Sequence, residues 1–101
     1  MKDHYNSFPE FYTDYLLEHQ DKTCRLLHFI GSSLIIALLI LILFTKKWVF
    51  LMLLPPLGYG FAWAGHVFFE RNKPATLRHG WYSFLGDWMM FKDIIQGNVK
   101  L

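Results

Sequence analysis

The stretch LLHFIGSSLIIALLILILFT, residues 26–45, carries no Asp, Glu, Lys or Arg side chain. A second stretch without these residues, WVFLMLLPPLGYGFAWAGHVFF, occupies residues 48–69. Each is long enough for an α-helix to cross a hydrocarbon core about 30 Å thick, which takes roughly 20 residues. Only Lys46 and Lys47 separate them, so the second helix must return antiparallel to the first. The sequence therefore predicts a hairpin of two membrane spans, 26–45 and 48–69.

Length and composition favour a membrane protein over a soluble one. The chain has 101 residues, of which 53% are hydrophobic and 18% charged, against roughly 25% charged residues in an average soluble domain. So short a chain forms one domain, residues 1–101, and cannot wrap two helices that are apolar on every side. The net charge of +2 is too small for a nucleic-acid-binding face, and the apolar content excludes disorder. We therefore expect an integral, multi-pass membrane protein.

Two shorter aromatic segments flank the predicted hairpin. Residues 8–19 place their aromatic side chains at spacings of three and four, which is typical of an amphipathic helix at a membrane surface. Residues 81–96 begin with an aromatic run whose one charged side chain is Asp87 and which is too short to cross a bilayer. The expected fold class is thus all-α: a small helical integral membrane protein, a transmembrane hairpin with interfacial helices at both ends, the second of them interfacial or re-entrant.

Helix-breaking residues and the distribution of positive charge refine the predicted topology. Residues 20–23 form a polar break in which Asp21 or Thr23 is suited to cap the next helix. The prolines at 55–56 lack backbone N–H groups, so we expect the second span to kink or to restart near Leu57. Positive charges are more numerous at the end of the hairpin opposite the turn, which predicts cytoplasmic termini. The membrane would be the inner membrane of a bacterium or the endoplasmic reticulum of a eukaryote.

Histidines gather at that same end of the hairpin. His28 lies 18 residues before Lys46 and His66 lies 20 residues after it, so the hairpin returns both to nearly the same depth. His19 precedes His28 by nine residues and would face the opposite side of an unbroken helix, so the polar break is needed to bring the two together. Glu70 follows His66 by four residues and shares its helix face.

These side chains have the composition of a metal site. Neutral imidazoles bind iron, zinc, copper or nickel, and a carboxylate completes a facial ligand set for iron(II). Ionisable residues in membrane segments are costly and are functional by default. From the residues alone a simpler interpretation stays open, in which each histidine satisfies local hydrogen bonds and Glu70 pairs with a neighbouring cation.

The order of these residues resembles a known family over about residues 8–92. His19 is followed by HFIG at 28–31 and by GYGFAWAGHVFFERNKPAT at 58–76, in which the run Trp-x-Gly-His-x-x-x-Glu-x-Asn-x-Pro-Ala is the most specific part. The chain is similar to the Mpo1-like family of small membrane proteins, which includes a 2-hydroxy fatty acid dioxygenase of phytosphingosine metabolism. The resemblance implies an iron(II)-dependent dioxygenase that carries out α-oxidation of 2-hydroxy fatty acids to fatty acids one carbon shorter.

The resemblance also implies residue roles. His19, His28 and His66 would be the ligands of Fe(2+), and Glu70 would be a further ligand or a catalytic base that orients an imidazole. The partners would be a long-chain 2-hydroxy fatty acid, dioxygen and the lipid bilayer, with no nucleic acid. A homodimer is compatible with the small residues that follow Gly58 at helical spacing.

A long-chain 2-hydroxy acid would lie in the bilayer with its carboxylate at the depth of the histidines. Its carboxylate could pair with Arg25, Arg71 or Arg78, and its acyl tail could lie along residues 58–64. Two other functions use the same features. One is a zinc hydrolase of a lipid ester or amide with Glu70 as general base, and the other is a non-catalytic membrane scaffold or lipid-binding protein. Metal content and dependence on dioxygen separate these three functions.

Overall fold

A computed structural model describes residues 2–73 and 78–100, and these residues form an all-α fold. The four α-helices are α1 (Phe8–Leu17), α2 (Lys22–Thr45), α3 (Leu54–Gly65) and α4 (Gly80–Ile95). Helices α2 and α3 pack along each other as the predicted hairpin, and α4 packs against both α2 and α1. The predicted all-α fold class is confirmed.

The turn of the hairpin is short and closes at Lys46. This residue adopts a left-handed conformation with φ 59°, and its N–H donates to the Ile42 carbonyl at 2.7 Å, which ends α2. After the turn the chain first forms a 3₁₀ helix, Trp48–Leu53, and then enters α3. The antiparallel return expected from the two lysines is therefore present.

The prolines at 55–56 lie in the first turn of α3, because the helix begins at Leu54. The N–H groups of a first turn have no partner within the helix, so proline costs nothing at these positions. The α-helix thus begins three residues before Leu57, near which the sequence predicts a kink or a restart, and the prolines directly follow the 3₁₀ helix. At its other end α3 widens into one turn of π-helix, His66–Glu70.

Much of the apolar surface of the hairpin is not covered by protein. The helical stretches Lys22–Thr45 and Trp48–Glu70 are long and apolar enough to cross a bilayer by length and composition, yet only 22% and 11% of their most apolar windows are buried. Phe44, close to the turn, is 84% exposed. The two helices could therefore form a membrane hairpin, in which lipid would cover these exposed apolar faces.

Helices α1 and α4 share an aromatic core beside the hairpin. Phe11, Tyr15 and Met90 have no exposed surface and pack with Tyr5 near the N-terminus. Phe11 and Tyr15 are four residues apart, so the buried face of α1 is the aromatic face that the sequence predicted. This core fixes α1 at the end of the hairpin where the histidines lie.

Candidate metal centre

A tight connection between α1 and α2 carries His19 into the hairpin. Helix α1 ends at Leu17, and α2 begins at Lys22 with Asp21 as its cap, whose side chain accepts hydrogen bonds from the Thr23 and Cys24 N–H groups. The cap is thus Asp21 and not Thr23. Because the helix is broken here, His19 is no longer held on the face opposite His28, and its side chain is 1% exposed.

Three imidazole rings meet at the end of the hairpin. His19, His28 and His66 are 1%, 6% and 2% exposed. The Nε2 atom of His19 lies 3.2 Å from Nε2 of His28 and 2.8 Å from Nε2 of His66. One ligand atom from each ring falls within 4.8 Å of the others, so the three are placed to share one metal ion.

The other ring nitrogen of each histidine is held by an oxygen atom. Nδ1 of His19 lies 2.6 Å from the Tyr15 carbonyl, and Nδ1 of His28 lies 2.9 Å from the Cys24 carbonyl. A carbonyl oxygen only accepts hydrogen bonds, so each of these Nδ1 atoms must carry the proton. The Nε2 atom of each neutral ring is then a free lone pair that faces the other rings.

His66 also carries its proton on Nδ1, because a side-chain oxygen accepts a hydrogen bond from this atom. Its Nδ1 lies 2.6 Å from Oδ1 of Asn72, and Nδ2 of Asn72 donates to the Glu18 carbonyl at 3.1 Å and to Glu18 Oε2 at 2.7 Å. These two donations require the amide nitrogen of Asn72 to face Glu18, so the oxygen must face His66. Asn72 thus orients His66 and fixes its tautomer from outside the cluster.

The converging lone pairs make this a candidate metal site. Acceptor atoms 2.8 and 3.2 Å apart with no proton between them repel each other, and a shared cation removes the repulsion. Burial, followed by the neighbouring imidazoles of His28 and His66, holds the pKa of His19 well below its usual range, so this ring is neutral and able to bind a metal. Three nitrogen donors suit iron, zinc, copper or nickel.

Glu70 lies beside this cluster and is bonded elsewhere. Its Oε1 accepts a hydrogen bond from the backbone N–H of Asp21, two residues after His19. Among the described residues, the group of side chains within metal-ligand reach of one another contains three histidines and no carboxylate. Glu70 therefore joins the end of the π-helical turn to the connection that carries His19.

The three arginines that the sequence suggested as partners for a substrate carboxylate have different surroundings. Arg25 donates from Nε to the His19 carbonyl and from Nη1 to the Lys100 carbonyl at 3.1 Å, so it is next to the cluster. Arg71 is exposed and follows the π-helical turn in a left-handed conformation with φ 58°. Arg78 is exposed and forms an ion pair with Asp3. The structure thus brings Arg25 to His19, and it shows no such link between Arg78 and the described histidines.

A cavity of about 340 Å³ begins at the histidine cluster and extends into the hairpin. Its lining includes the polar side chains of His28, Ser32, Tyr59 and Asp87, and the other lining residues are largely apolar and come from α2, α3 and α4. Along α2 it reaches from His28 to Leu39, which at 1.5 Å per residue is a depth of about 16 Å. This shape fits an unbranched chain whose polar head lies at His28.

Sequence reasoning missed the residues that support the cluster. Tyr15 stacks on His19 with ring centroids 3.9 Å apart, and its hydroxyl donates to Oδ1 of Asp87. Burial raises the pKa of Asp87 to about 6, and the Tyr15 hydrogen bond partly opposes this rise. The one available signal was that Asp87 is the single charge in an aromatic run. Asn72 belongs to the most specific sequence run, but its role depends on Glu18, 54 residues away.

Comparison with protein families agrees with this geometry. A family model described as "2-hydroxy-palmitic acid dioxygenase Mpo1-like" matches residues 5–99, which is nearly the whole chain. No curated protein and no solved structure matches the chain. The family name implies an enzyme that acts on a 2-hydroxy fatty acid, and the buried histidines and the cavity are compatible with that chemistry. On the extent of this match, the protein belongs to the Mpo1-like family.

Proposed function

We propose that the protein is an iron(II)-dependent dioxygenase that converts 2-hydroxy fatty acids to fatty acids one carbon shorter. The observation that carries the proposal is the convergence of three buried imidazole Nε2 atoms beside a deep apolar cavity, in a family named for this activity. His19, His28 and His66 would hold the metal. Iron(II) bound there would supply the redox chemistry that dioxygen requires.

The overall reaction balances without an external reductant. A 2-hydroxy acid and dioxygen give the acid one carbon shorter, carbon dioxide and water. The bond between the carboxyl carbon and the hydroxyl-bearing carbon breaks, and the substrate supplies all the electrons that reduce dioxygen. Such a reaction needs a metal centre and a bound substrate, but no second cofactor site.

The protein's own residues bind and orient the substrate. The acyl tail occupies the cavity, and its head lies beside His28 and Ser32. Arg25 is the first choice to pair the carboxylate because it is bonded to the His19 carbonyl, while the exposed Arg71 and Arg78 attract the anionic substrate to this end of the molecule. Glu70 acts on His19 through the Asp21 backbone, which makes it a positioning residue in this proposal.

The proposal also covers the cellular location of the protein. The uncovered apolar faces of the hairpin support an integral, multi-pass membrane protein, and the excess of lysine and arginine near the histidines favours cytoplasmic termini. The membrane is the inner membrane in a bacterium and the endoplasmic reticulum in a eukaryote. A fatty substrate dissolved in the bilayer would then reach the cavity from lipid, with its carboxylate at the water interface.

The test is turnover by the purified protein. The protein is purified without oxygen, loaded with iron(II), and given 2-hydroxypalmitate with and without dioxygen, and the products are measured by mass spectrometry. We expect an acid one carbon shorter only when dioxygen is present. His66→Ala should abolish it, whereas His4→Ala, at an exposed histidine near the N-terminus, should not.

Two other outcomes would replace the proposal. A product released from a lipid ester or amide without dioxygen, in a protein that retains zinc, would indicate a hydrolase. If His66→Ala changed neither metal content nor lipid turnover but disturbed a protein complex, the histidines would be structural and the protein a scaffold.

A further inference from the structure

Asp87 is an unexpected residue in the cavity. It extends from α4 into a cavity whose wall is largely apolar, near the end marked by His28 and Ser32. A carboxyl group in such surroundings is costly unless it has hydrogen-bond partners. Asp87 belongs neither to the histidine cluster nor to the residues proposed to pair the substrate carboxylate, so its position needs a separate explanation.

One oxygen of this carboxyl group is held in place. Oδ1 accepts the hydroxyl of Tyr15, and Tyr15 is fully buried. A Cβ atom on Gly86 would lie 3.1 Å from the Tyr15 ring, so the absence of a side chain there lets the ring pack directly against α4. The Tyr15 ring also stacks on His19, with ring centroids 3.9 Å apart. Asp87 is therefore held at a defined position relative to the metal cluster.

The second oxygen is available to a ligand. Within the part of the chain that the structure describes, Tyr15 is the hydrogen-bond partner of Asp87, and Oδ2 has no protein donor. A molecule in the cavity with a hydroxyl group near its head could donate a hydrogen bond to this oxygen. Such a bond to a charged acceptor in a water-poor cavity is among the stronger hydrogen bonds.

We propose that Asp87 accepts the hydrogen bond of the substrate's 2-hydroxyl group and so makes the site select 2-hydroxy acids over ordinary fatty acids. The inference rests on the proposed function, because that function places the head of the substrate at the histidine cluster. The hydroxyl is on the carbon next to the carboxyl group, so it lies at the same end of the cavity as His28 and Asp87.

Selectivity follows from the cost of an unpaired carboxyl group. An ordinary fatty acid fills the cavity equally well but leaves Oδ2 of Asp87 without a donor, and a site built to bind a hydroxyl discriminates strongly against the analogue that lacks it. We expect a preference of about 10- to 100-fold for 2-hydroxypalmitate over palmitate in binding. A residue with a purely structural role would not affect this ratio.

The experiment measures binding without turnover. Iron(II)-loaded protein is kept free of oxygen, and 2-hydroxypalmitate and palmitate each displace a fluorescent fatty acid from it. In Asp87→Leu the preference should fall to within about threefold, with palmitate bound as well as before or better. The matched control is Asp93→Leu, which removes the other α4 carboxylate bonded to a tyrosine, Tyr12 at 2.5 Å, outside the cavity lining.

A second variant separates loss of the hydrogen bond to the substrate from a folding defect. Asp87→Asn keeps the shape, and its Oδ1 can still accept from Tyr15, but Nδ2 then replaces Oδ2 and cannot accept the substrate hydroxyl, so the preference should fall several-fold with palmitate binding unchanged. An unaltered preference in Asp87→Asn and Asp87→Leu, or no preference in the unmodified protein, would overturn the inference. Failure of the proposed function is a different result: the unmodified protein with iron(II) and dioxygen would not shorten 2-hydroxypalmitate.

Discussion

Nε2 of His19 and Nε2 of His28 lie 3.2 Å apart, although a separation of nine residues would put the two side chains on opposite sides of a continuous helix. The break between α1 and α2 makes the approach possible, and the packing of α1 against α4 holds it. The histidine cluster thus depends on residues outside it.

Asn72 should tune metal affinity through His66. Replacing it by Leu removes the oxygen that accepts from His66 Nδ1, so the ring loses its preferred tautomer and orientation. Loss of such an outer partner typically costs 10- to 100-fold in metal affinity, and we expect a weakening of about that size in a competition titration with a chelator. Asn98→Leu, at an exposed residue near the C-terminus, should leave the affinity unchanged. Equal affinity in the Asn72 variant would show that the hydrogen bond has no influence on the site.

Gly65 should be required for the close approach of α3 to α2. A Cβ atom there would lie 2.9 Å from Cys24 Sγ and 3.1 Å from its Cα, so Gly65→Ala must push the helices apart next to His66. We expect a loss of about 1–3 kcal/mol in the free energy of unfolding, together with weaker metal binding. Gly60→Ala is the matched control, because nothing lies within 4 Å of its Cβ position. Similar unfolding curves for the two variants in detergent would contradict this account.

Glu70 can be tested as a positioning residue against a metal ligand. Glu70→Gln keeps an oxygen that can accept from the Asp21 N–H, whereas Glu70→Ala removes it. We expect metal affinity within about threefold of the unmodified protein for Gln and roughly tenfold weaker for Ala. Comparable losses in both variants would instead favour direct ligation, because an amide oxygen is a poorer ligand than a carboxylate.

Leu39 should limit the length of acyl chain that the cavity accepts. It lines the cavity about 16 Å along α2 from His28, so Leu39→Trp fills the deep end. We expect the preferred 2-hydroxy acid to become shorter, as measured by product formation over a series of chain lengths. Leu41→Trp provides the control, since Leu41 is exposed and does not line the cavity. An identical chain-length profile in both variants would mean that the acyl chain lies elsewhere.

Asp87 should make stability depend on pH in a defined direction. Its pKa is raised from 3.8 to about 6, chiefly by burial, so the folded protein binds this proton more tightly than the unfolded chain. Stability from this residue is therefore fully present below pH 3.8 and is lost as the pH rises through about 6. Among the described residues, the Tyr15 hydroxyl on α1 donates to it, the Cys24 thiol on α2 interacts with its charge, and His28 on α2 lines the same cavity.

The comparison with Asp87→Asn isolates this effect. The difference in free energy of unfolding between the variant and the unmodified protein should grow in favour of Asn between pH 4 and pH 7, by up to about 3 kcal/mol. Thermal unfolding in detergent at several pH values measures it. A difference that does not vary with pH would show that Asp87 is not buried in its ionised form.

The sequence by itself determined the hairpin and the end of the hairpin at which the histidines lie. The lengths of the two uncharged runs set the helix lengths, and the lysine turn between them forces an antiparallel return, so His28 and His66 reach one depth by counting residues. The break before Asp21 could likewise be predicted, because helix caps depend on neighbouring residues. These features follow from local periodicity.

The tertiary structure alone decided how the site is completed. The contacts between Asn72 and His66, between Tyr15 and Asp87, and between Glu70 and Asp21 depend on how each helix is rotated about its axis. That rotation is set by close packing between segments far apart in the chain, such as Gly86 against Tyr15 and Gly65 against Cys24. Local sequence patterns carry no information about such packing, which is why the histidines were predictable from the sequence and the residues that hold them were not.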